Sequence, residues 1–225
     1  MSVEGKVVLV TGASQGIGRE TALAFLEAGA RVAVCARRTA PLEDLAARGE
    51  VLALAADVTD PASVDGLFRA IRERFGRLDV VFNNAGTGAP MTNFGDLSFD
   101  TWRQVLAVNL DGMFLVANRA FQTMRDQTPR GGRIVNNGSI SAHVPRPGSA
   151  PYTASKHGVT GLTRAISLDG RAHDIACGQI DIGNAATDMT ARMPEGVAQA
   201  DGSVRPEPVM DARHVAETVV AMAAL

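Results

Sequence analysis

A phenol and an ammonium group stand four residues apart in the segment YTASK at residues 152–156. On a helix, residues i and i+4 share a face, so Tyr152 and Lys156 would lie side by side. A free phenol has a pKa of about 10, and a nearby cation lowers that pKa, which would let Tyr152 exchange protons with an alcohol near neutral pH. Tyr152 is also the only tyrosine of the chain. Taken alone, the five residues fit an incidental pair on a surface helix equally well.

A glycine-rich turn, TGASQGIG at residues 11–18, follows an apolar run near the N-terminus. Its glycines permit a tight backbone and the close approach of a ligand, and a helix starting there would offer N–H groups and a positive dipole to a pyrophosphate. The spacing is GxxxGxG rather than GxGxxG, and an ordinary strand-to-helix turn is the alternative interpretation. The candidate dinucleotide contacts in this turn are Gly12, Ser14, Gln15, Gly16, Ile17 and Gly18.

Cofactor choice is expected to depend on the end of the second predicted strand. That strand ends at Ala36 and is followed by Arg37 and Arg38, so no carboxylate stands where an acidic side chain would bind an adenosine 2′-hydroxyl. A guanidinium group can instead bind a 2′-phosphate. We therefore expect a preference for NADP(H), resting mainly on Arg37, with NAD(H) as the alternative cofactor. Two solvated arginines in a loop are the competing interpretation.

Short apolar runs alternate with stretches of helical periodicity along the chain. The sequence predicts strands at residues 6–10, 31–36, 51–58, 78–86, 131–139 and 175–182, and helices at 18–30, 61–75, 99–124, 152–168 and from 211 onward. This alternation predicts an α/β fold, a single-domain Rossmann fold with a doubly wound parallel sheet and helices on both faces. We expect one domain over residues 1–225 that could lack a final C-terminal strand, and a flexible segment before the last helix.

Composition excludes several functional classes. The chain has 225 residues, 46% hydrophobic and 20% charged, with a net charge of −2, so it offers no electrostatic case for binding nucleic acid or an anionic membrane. Its aliphatic runs are too short to span a bilayer and its N-terminus has no signal-peptide pattern, so we expect a cytoplasmic protein. Cys35 and Cys177 are expected to be buried thiols, and the scattered histidines predict no metal site.

The ordered motifs together resemble the short-chain dehydrogenase/reductase family of ordinary length, over about residues 5 to 190. TGASQGIG is similar to that family's cofactor turn, Asp57-Val58 to its adenine-contacting pair, and NNAG at residues 83–86 to its fourth-strand motif. Ser139 precedes Tyr152 by 13 residues, the family's usual serine spacing, and YTASK matches its YxxxK motif. The resemblance implies an NAD(P)-dependent oxidoreductase that interconverts a ketone and a secondary alcohol.

The resemblance also implies a role for each of four residues. Tyr152 would be the general acid/base, and Lys156 would lower its pKa and bind the nicotinamide ribose. Ser139 would orient the substrate oxygen, and Asn109 would hold a water that links Lys156 to solvent. The further cofactor contacts that it implies are Asp57, Val58, Asn84, Ala85, Gly86, Gly183, Ala185 and Thr187.

One position departs from the family pattern, because Ile182 stands where proline usually precedes Gly183. The loss of proline frees the backbone at that point, which lies next to the predicted nicotinamide end of the site. The candidate substrate contacts are His143, Pro145, Met189 and Met193, and the substrate itself, a small carbonyl or alcohol compound, is not specified by the sequence.

Two other functions are weighed against this interpretation. A non-catalytic NAD(P)-binding sensor or scaffold could keep the fold, and the change at Ile182 favours it mildly. Epimerase or dehydratase chemistry on nucleotide-sugars also uses YxxxK but needs a longer chain with a substrate domain. The resemblance further implies a homo-oligomer, a tetramer or a dimer, that would pair through the helices predicted at residues 99–124 and 152–168, although apolar side chains of these helices could instead face the sheet.

Overall fold

Six parallel strands form the central sheet of the computed structural model, which describes residues 2–225. The strands are β1 (Val7–Thr11), β2 (Arg31–Ala36), β3 (Val51–Ala55), β4 (Val80–Asn83), β5 (Gly132–Asn137) and β6 (Ile175–Ile180). Their order in the sheet is β3-β2-β1-β4-β5-β6. The strand order reverses between β1 and β4, and in such sheets a crevice for ligands lies outside the carboxyl ends of the strands at that point.

The central strands form because both of their faces are covered. Every residue of β1 and of β4 is buried, as expected for strands that are packed on both sides by helices. Val8 of β1 lies between Val32 of β2 and Val80 of β4 in the parallel register. This packing holds the carboxyl ends of the three strands at one edge of the sheet.

Seven α-helices cover the sheet. They are α1 (Gly16–Glu27), α2 (Glu43–Ala46), α3 (Pro61–Phe75), α4 (Phe99–Leu106), α5 (Met113–Asp126), α6 (Ala150–Asp169) and α7 (Ala212–Ala224). One apolar core lies under α1 and α7 and contains Phe25 and Val219. The other lies under α3, α5 and α6 and contains Ile71 and Met124. The predicted doubly wound α/β fold is therefore confirmed.

The start of α3 follows the chemistry that its sequence predicts. The Asp60 carboxylate accepts hydrogen bonds from the amides of Ala62 (3.0 Å) and Ser63 (3.3 Å), and Pro61 occupies the first helical position. The helix ends at Gly76, whose φ of +76° is a left-handed conformation that favours glycine.

The helix predicted over residues 99–124 is interrupted in the structure. A π-helical segment, Ala107–Gly112, separates α4 from α5. A Cβ atom at Gly112 would lie 2.8 Å from Cγ2 of Val58, so glycine lets the helix approach the loop that follows β3. Single π-helical turns of this kind occur frequently at functional sites.

Smaller differences concern the ends of several elements and the segment before α7. Strand β3 ends at Ala55, which leaves Asp57 and Val58 in the loop, and α6 begins at Ala150, two residues earlier than predicted. The segment predicted to be flexible contains a short hairpin of β7 (Val197–Ala198) and β8 (Val204–Arg205). The extent of the domain over residues 1–225 and the lack of a final strand stay predictions.

Within residues 2–225, none of the helices combines the length and the apolar character that crossing a bilayer requires.

The packing of α1 on the sheet gives a test of the fold. Phe25 is 0% exposed, and we expect Phe25→Ala to lower the free energy of unfolding by about 3–5 kcal/mol because it leaves a cavity in the core. Phe94 is 78% exposed, so Phe94→Ala should change that free energy by less than about 0.5 kcal/mol. Urea unfolding followed by circular dichroism compares the two variants. Equal losses would contradict this placement of α1.

Candidate active site

The glycine-rich turn leaves β1 with a backbone that only glycine adopts easily. Gly12 and Gly16 have φ values of +67° and +55°. A Cβ atom at Gly12 would lie 2.9 Å from Cα of Ala85, and one at Gly18 would lie 2.4 Å from the carbonyl oxygen of Gly12. The turn is therefore pressed against the loop that follows β4, and side chains at these positions would force them apart.

The start of α1 fits a pyrophosphate group. Helix α1 begins at Gly16, and Gln15 before it makes no side-chain hydrogen bond that caps the helix. The first amide groups of a helix have no partners within it, so they can bind an anion together with the helix dipole. The compact turn and these amides together form a cradle that suits a dinucleotide. Ser14 of the turn and Ile17 of the first turn of α1 are half-buried beside it.

Asn84 joins the glycine-rich turn to the end of β5. Its side-chain amide donates to the carbonyl oxygen of Thr11 (2.9 Å), and its backbone amide donates to Oγ1 of the same threonine (2.9 Å). The backbone amide of Ala85 donates to that hydroxyl as well (2.9 Å). In turn, Oδ1 of Asn84 accepts a hydrogen bond from Nδ2 of Asn137 (2.8 Å). These bonds hold the carboxyl ends of β1, β4 and β5 together at one edge of the sheet. Gly86, in the loop after β4, is exposed.

Lys156 is held at this edge by Asn137. The ammonium group donates to the carbonyl oxygen of Asn137 (2.7 Å) and lies 5.5 Å from the centroid of the Tyr152 ring. Lys156 is only 4% exposed. The predicted placement of Tyr152 and Lys156 on one face of a helix is therefore found in α6. Sequence reasoning missed Asn137, although NN at residues 136–137 repeats the NN at the end of β4 and could have indicated it.

The pKa of Tyr152 differs from the sequence-based expectation. We expected Lys156 to lower it, but burial raises the pKa of the phenol above its ordinary value, and the nearby Ser139 side chain and the Arg146 charge only partly oppose this rise. Burial also lowers the pKa of Lys156 to about 8, and the Asp181 carboxylate opposes that change. Desolvation is the largest cause of the pKa shift in both groups.

Ser139 lies at the start of a short turn that is fixed from two sides. It is 6% exposed, its backbone amide donates to Oδ1 of Asp181 (3.0 Å), and its Oγ accepts from the backbone amide of Ser141 (3.1 Å). The structure therefore brings Ser139, Tyr152 and Lys156 together as the sequence predicts. Their chemical roles stay predictions.

Asn109 lies within the π-helical segment and is fully buried. Its Oδ1 accepts from the backbone amide of Thr87 (2.7 Å), and its Nδ2 donates to the carbonyl oxygen of Thr87 (2.9 Å) and to Oγ of Ser155 (3.3 Å). The side chain thus ties the loop after β4 to helix α6. Its predicted role in holding a water stays a prediction.

The predicted adenine end of the site lies after β2 and β3. The Asp57 carboxylate accepts from the backbone amide (2.9 Å) and the hydroxyl (2.7 Å) of Thr59, which lowers the pKa of Asp57, and the charge of Arg37 adds to this effect. Arg37 and Arg38 are both exposed. The Arg37 side chain is therefore near Asp57 and open to solvent, where it could meet a 2′-phosphate.

Ile182 does not move the segment that follows it away from the glycine-rich turn. Its side chain is buried in the core under α1 and α7, and its carbonyl oxygen accepts from the backbone amide of Ile140 (3.2 Å). Beyond it, Gly183 is half-buried and Ala185 is buried. Thr187 then lies so close to Gly16 that a Cβ atom there would be 3.1 Å from the threonine methyl group. The predicted nicotinamide contact is thus placed beside the cofactor turn.

The four candidate substrate contacts lie on two segments that Arg146 joins. His143 and Pro145 are exposed on the loop before α6, while Met189 is exposed and Met193 is half-buried in the segment after Thr187.

Arg146 donates to Oδ1 of Asn184 (3.0 Å) and forms an ion pair with Glu207. Arg146 therefore connects the loop before α6 to the segment between β6 and α7. The four candidate substrate contacts do not make this connection.

The cysteines do not suggest chemistry of their own. Cys35 is buried and Cys177 is half-buried, both are free thiols, and burial raises the pKa of each to about 12. Within the described residues 2–225, no cluster of three or more histidine, cysteine, aspartate or glutamate side chains is arranged to hold a metal ion.

Comparisons with known proteins agree with this geometry. The family model described as short chain dehydrogenase matches residues 6–198. The chain is 35% identical over 212 residues to the short chain dehydrogenase/reductase astE of Aspergillus oryzae, covering 91% of this chain and 81% of that protein. It is 33% identical over 198 residues to a 3-oxoacyl-[acyl-carrier-protein] reductase of Synechocystis, covering 85% and 79%.

Solved structures show the same fold. The crystal structure of a 3-ketoacyl-(acyl-carrier-protein) reductase from Brucella melitensis, complexed with NADH, superposes with a TM-score of 0.88 at 26% identity, covering 99% of this chain and 92% of that one. The chain therefore belongs to the short-chain dehydrogenase/reductase family. The predicted family, Rossmann fold and oxidoreductase class are confirmed.

The single tyrosine makes the state of the site directly measurable. Because the chain has one tyrosine, the near-ultraviolet absorbance of tyrosinate reports on Tyr152 alone. We expect the absorbance to rise with a midpoint above 10, the ordinary tyrosine value, because burial disfavours the phenolate. Tyr152→Phe should show no such rise, and circular dichroism at each pH verifies that the fold is intact. A midpoint below 10 would show that the cation outweighs burial.

Proposed function

We propose that this protein is an NADP(H)-preferring oxidoreductase that interconverts a ketone and a secondary alcohol by hydride transfer, with Tyr152 as general acid/base. The observation that carries the proposal is the position of the Tyr152–Lys156 pair. Asn137 holds Lys156 at the same strand edge to which Asn84 ties the glycine-rich turn. The proton-transfer group and the dinucleotide cradle are thus parts of one rigid frame.

The surroundings of Ser139, Tyr152 and Lys156 support a separate role for each residue in the proposed reaction. Ser139, fixed by its own turn, orients the reacting oxygen of the substrate. Tyr152 is protonated at neutral pH, which suits a group that gives its proton to a developing alkoxide. Lys156, with a pKa of about 8, carries most of its charge at pH 7 and stabilises negative charge nearby. A bound nicotinamide cofactor supplies or accepts the hydride.

The cofactor preference rests on Arg37. The Brucella relative was crystallised with NADH, so this fold does not by itself exclude the unphosphorylated cofactor. Arg37 is exposed at the end of β2 and acts on Asp57, the predicted adenine contact. A guanidinium group there would form a charge-assisted contact with a 2′-phosphate.

Ile182 is the sequence feature that favours a non-catalytic sensor. Because its side chain is buried in the core and Thr187 still lies beside the glycine-rich turn, Ile182 no longer favours that alternative.

We further propose a cytoplasmic homo-oligomer, a dimer or tetramer of domains spanning residues 1–225. Exposed apolar side chains on the outer helices, such as Phe114 of α5 and Leu168 of α6, support pairing between copies.

Turnover of ketones tests the catalytic assignment. We expect NADPH oxidation with a panel of aliphatic, aromatic and 3-oxoacyl ketones, and Tyr152→Phe should reduce kcat by about 10²–10⁴-fold while NADPH binding persists.

Ser139→Ala should reduce kcat too, whereas Ser141→Ala is a matched control because both serines are buried in one turn and only Ser139 is assigned to the substrate. If wild-type protein binds the cofactor but turns over none of these ketones or the corresponding alcohols, the sensor alternative replaces the proposal.

A fluorescence titration tests cofactor choice. We expect NADPH to bind at least about tenfold more tightly than NADH, since one charge-assisted contact contributes about 1.5–3 kcal/mol. Arg37→Ala should bring the two affinities close together, and Arg38→Ala, the neighbouring control, should change their ratio much less. Equal or tighter binding of NADH to the wild-type protein would contradict the preference.

A further inference from the structure

Asp181 is a charged side chain at the strand edge that the proposed reaction leaves without a task. It directly follows β6, on the same edge of the sheet as Ser139. Its Oδ1 accepts hydrogen bonds from the backbone amide of Ser139 (3.0 Å) and from Nε2 of Gln179 (2.6 Å). Its Oδ2 lies 3.0 Å from Nε2 of His143. Both carboxylate oxygens are therefore engaged.

The close contact with the turn after β5 depends on glycine. A Cβ atom at Gly138 would lie 2.1 Å from Oδ1 of Asp181 and 2.6 Å from Nε2 of Gln179. Any side chain at position 138 would push the carboxylate away from Ser139. The position of the Asp181 carboxylate therefore depends on Gly138, the residue immediately before Ser139.

The charge of Asp181 acts on Lys156. Burial disfavours the ammonium form of Lys156, and Asp181 is the carboxylate whose charge opposes this effect. The ammonium also lies 5.5 Å from the centroid of the Tyr152 ring of α6 and donates to the Asn137 carbonyl group of β5, and neither of these groups is an anion at neutral pH. His143 pairs with the outer oxygen of Asp181.

We propose that Asp181 is a positioning residue for the reaction, which fixes the backbone of Ser139 and of the turn that follows Asn137, the residue whose carbonyl group holds Lys156 beside Tyr152. The negative charge of Asp181 also favours the ammonium form of Lys156. This inference rests on the proposed function, because it assigns Asp181 to the same proton-transfer machinery. It also gives His143 a task different from substrate contact, since the imidazole holds the carboxylate from the solvent side.

The lysine content of the chain permits a direct test without a substrate. Lys6 and Lys156 are the only two lysines, so protein grown with carbon-13-labelled lysine gives two side-chain signals in an NMR pH titration. Lys6→Arg assigns them. We expect Lys156 to titrate near pH 8 in the wild-type protein. In Asp181→Asn its midpoint should fall by about 1 pH unit, as expected when the opposite charge that favours the ammonium form is lost.

Asp174→Asn is the matched control, because Asp174 directly precedes β6, at the opposite end of the same strand, and its pairing with Arg130 is exposed. It should leave the Lys156 midpoint unchanged. Asp181→Ser gives a second uncharged variant in case Asp181→Asn does not fold, and circular dichroism identifies which variants are folded. An unchanged Lys156 midpoint in the folded variants, or an equal change in Asp174→Asn, would overturn the proposal.

The titration also separates this inference from the proposed function. If Lys156 responds to Asp181 but the protein turns over no ketone or alcohol, the electrostatic effect of Asp181 on Lys156 exists, and its assignment as a positioning residue for the reaction is overturned together with the proposed function. If turnover requires Tyr152 and Lys156 does not respond, the function stands and the inference about Asp181 falls. If both hold, the pH profile of kcat in Asp181→Asn should move in the same direction as the Lys156 midpoint.

Discussion

A buried ammonium group constrains the whole site. Removing a charge from water is costly unless that charge is hydrogen-bonded and compensated, and Lys156 is almost completely buried. Its hydrogen bond to the Asn137 carbonyl group is available only because β5 ends there, and Asn137 is itself held by Asn84. The position of the cation therefore depends on the register of β1, β4 and β5. A shift of any of these strand ends would leave the ammonium without its partner.

The cofactor turn depends on the same strand ends. Thr11, the last residue of β1, accepts hydrogen bonds from the loop after β4, and Gly12 and Gly18 let the two segments approach within van der Waals distance. One set of contacts thus fixes both the cradle for a dinucleotide and the lysine beside the phenol. Alignment of a hydride donor with a proton donor needs this kind of shared frame, because small displacements of reacting groups reduce rates strongly.

The strands and motifs of the site are predictable from the sequence, but several contacts between distant segments are not. The six strands, the glycine-rich turn, and Tyr152 with Lys156 follow from hydrophobic patterns and motif spacing, which are local properties. The π-helical turn at Asn109 was not predictable in the same way, because it depends on the contact of Gly112 with Val58 from a distant loop. Asp181 was missed as well, since its partners Ser139 and His143 lie about forty residues earlier and meet it only in the folded sheet.

The pKa shifts of Tyr152 and Lys156 show why the YTASK motif alone does not specify the protonation states of these side chains. YTASK places a cation near a phenol, yet burial acts on both groups and disfavours the charged form of each. As the pH rises, Lys156 therefore loses its proton before Tyr152 does in the chain by itself. At neutral pH the pair is a neutral phenol beside an ammonium group, which is the state that the proposed proton donation to an alkoxide would need. In the proposed reaction, oxidation of an alcohol would instead require the phenol to lose its proton first. The charge states of the two groups therefore suit proton donation better than proton abstraction, which supports the reductive direction of the proposed reaction.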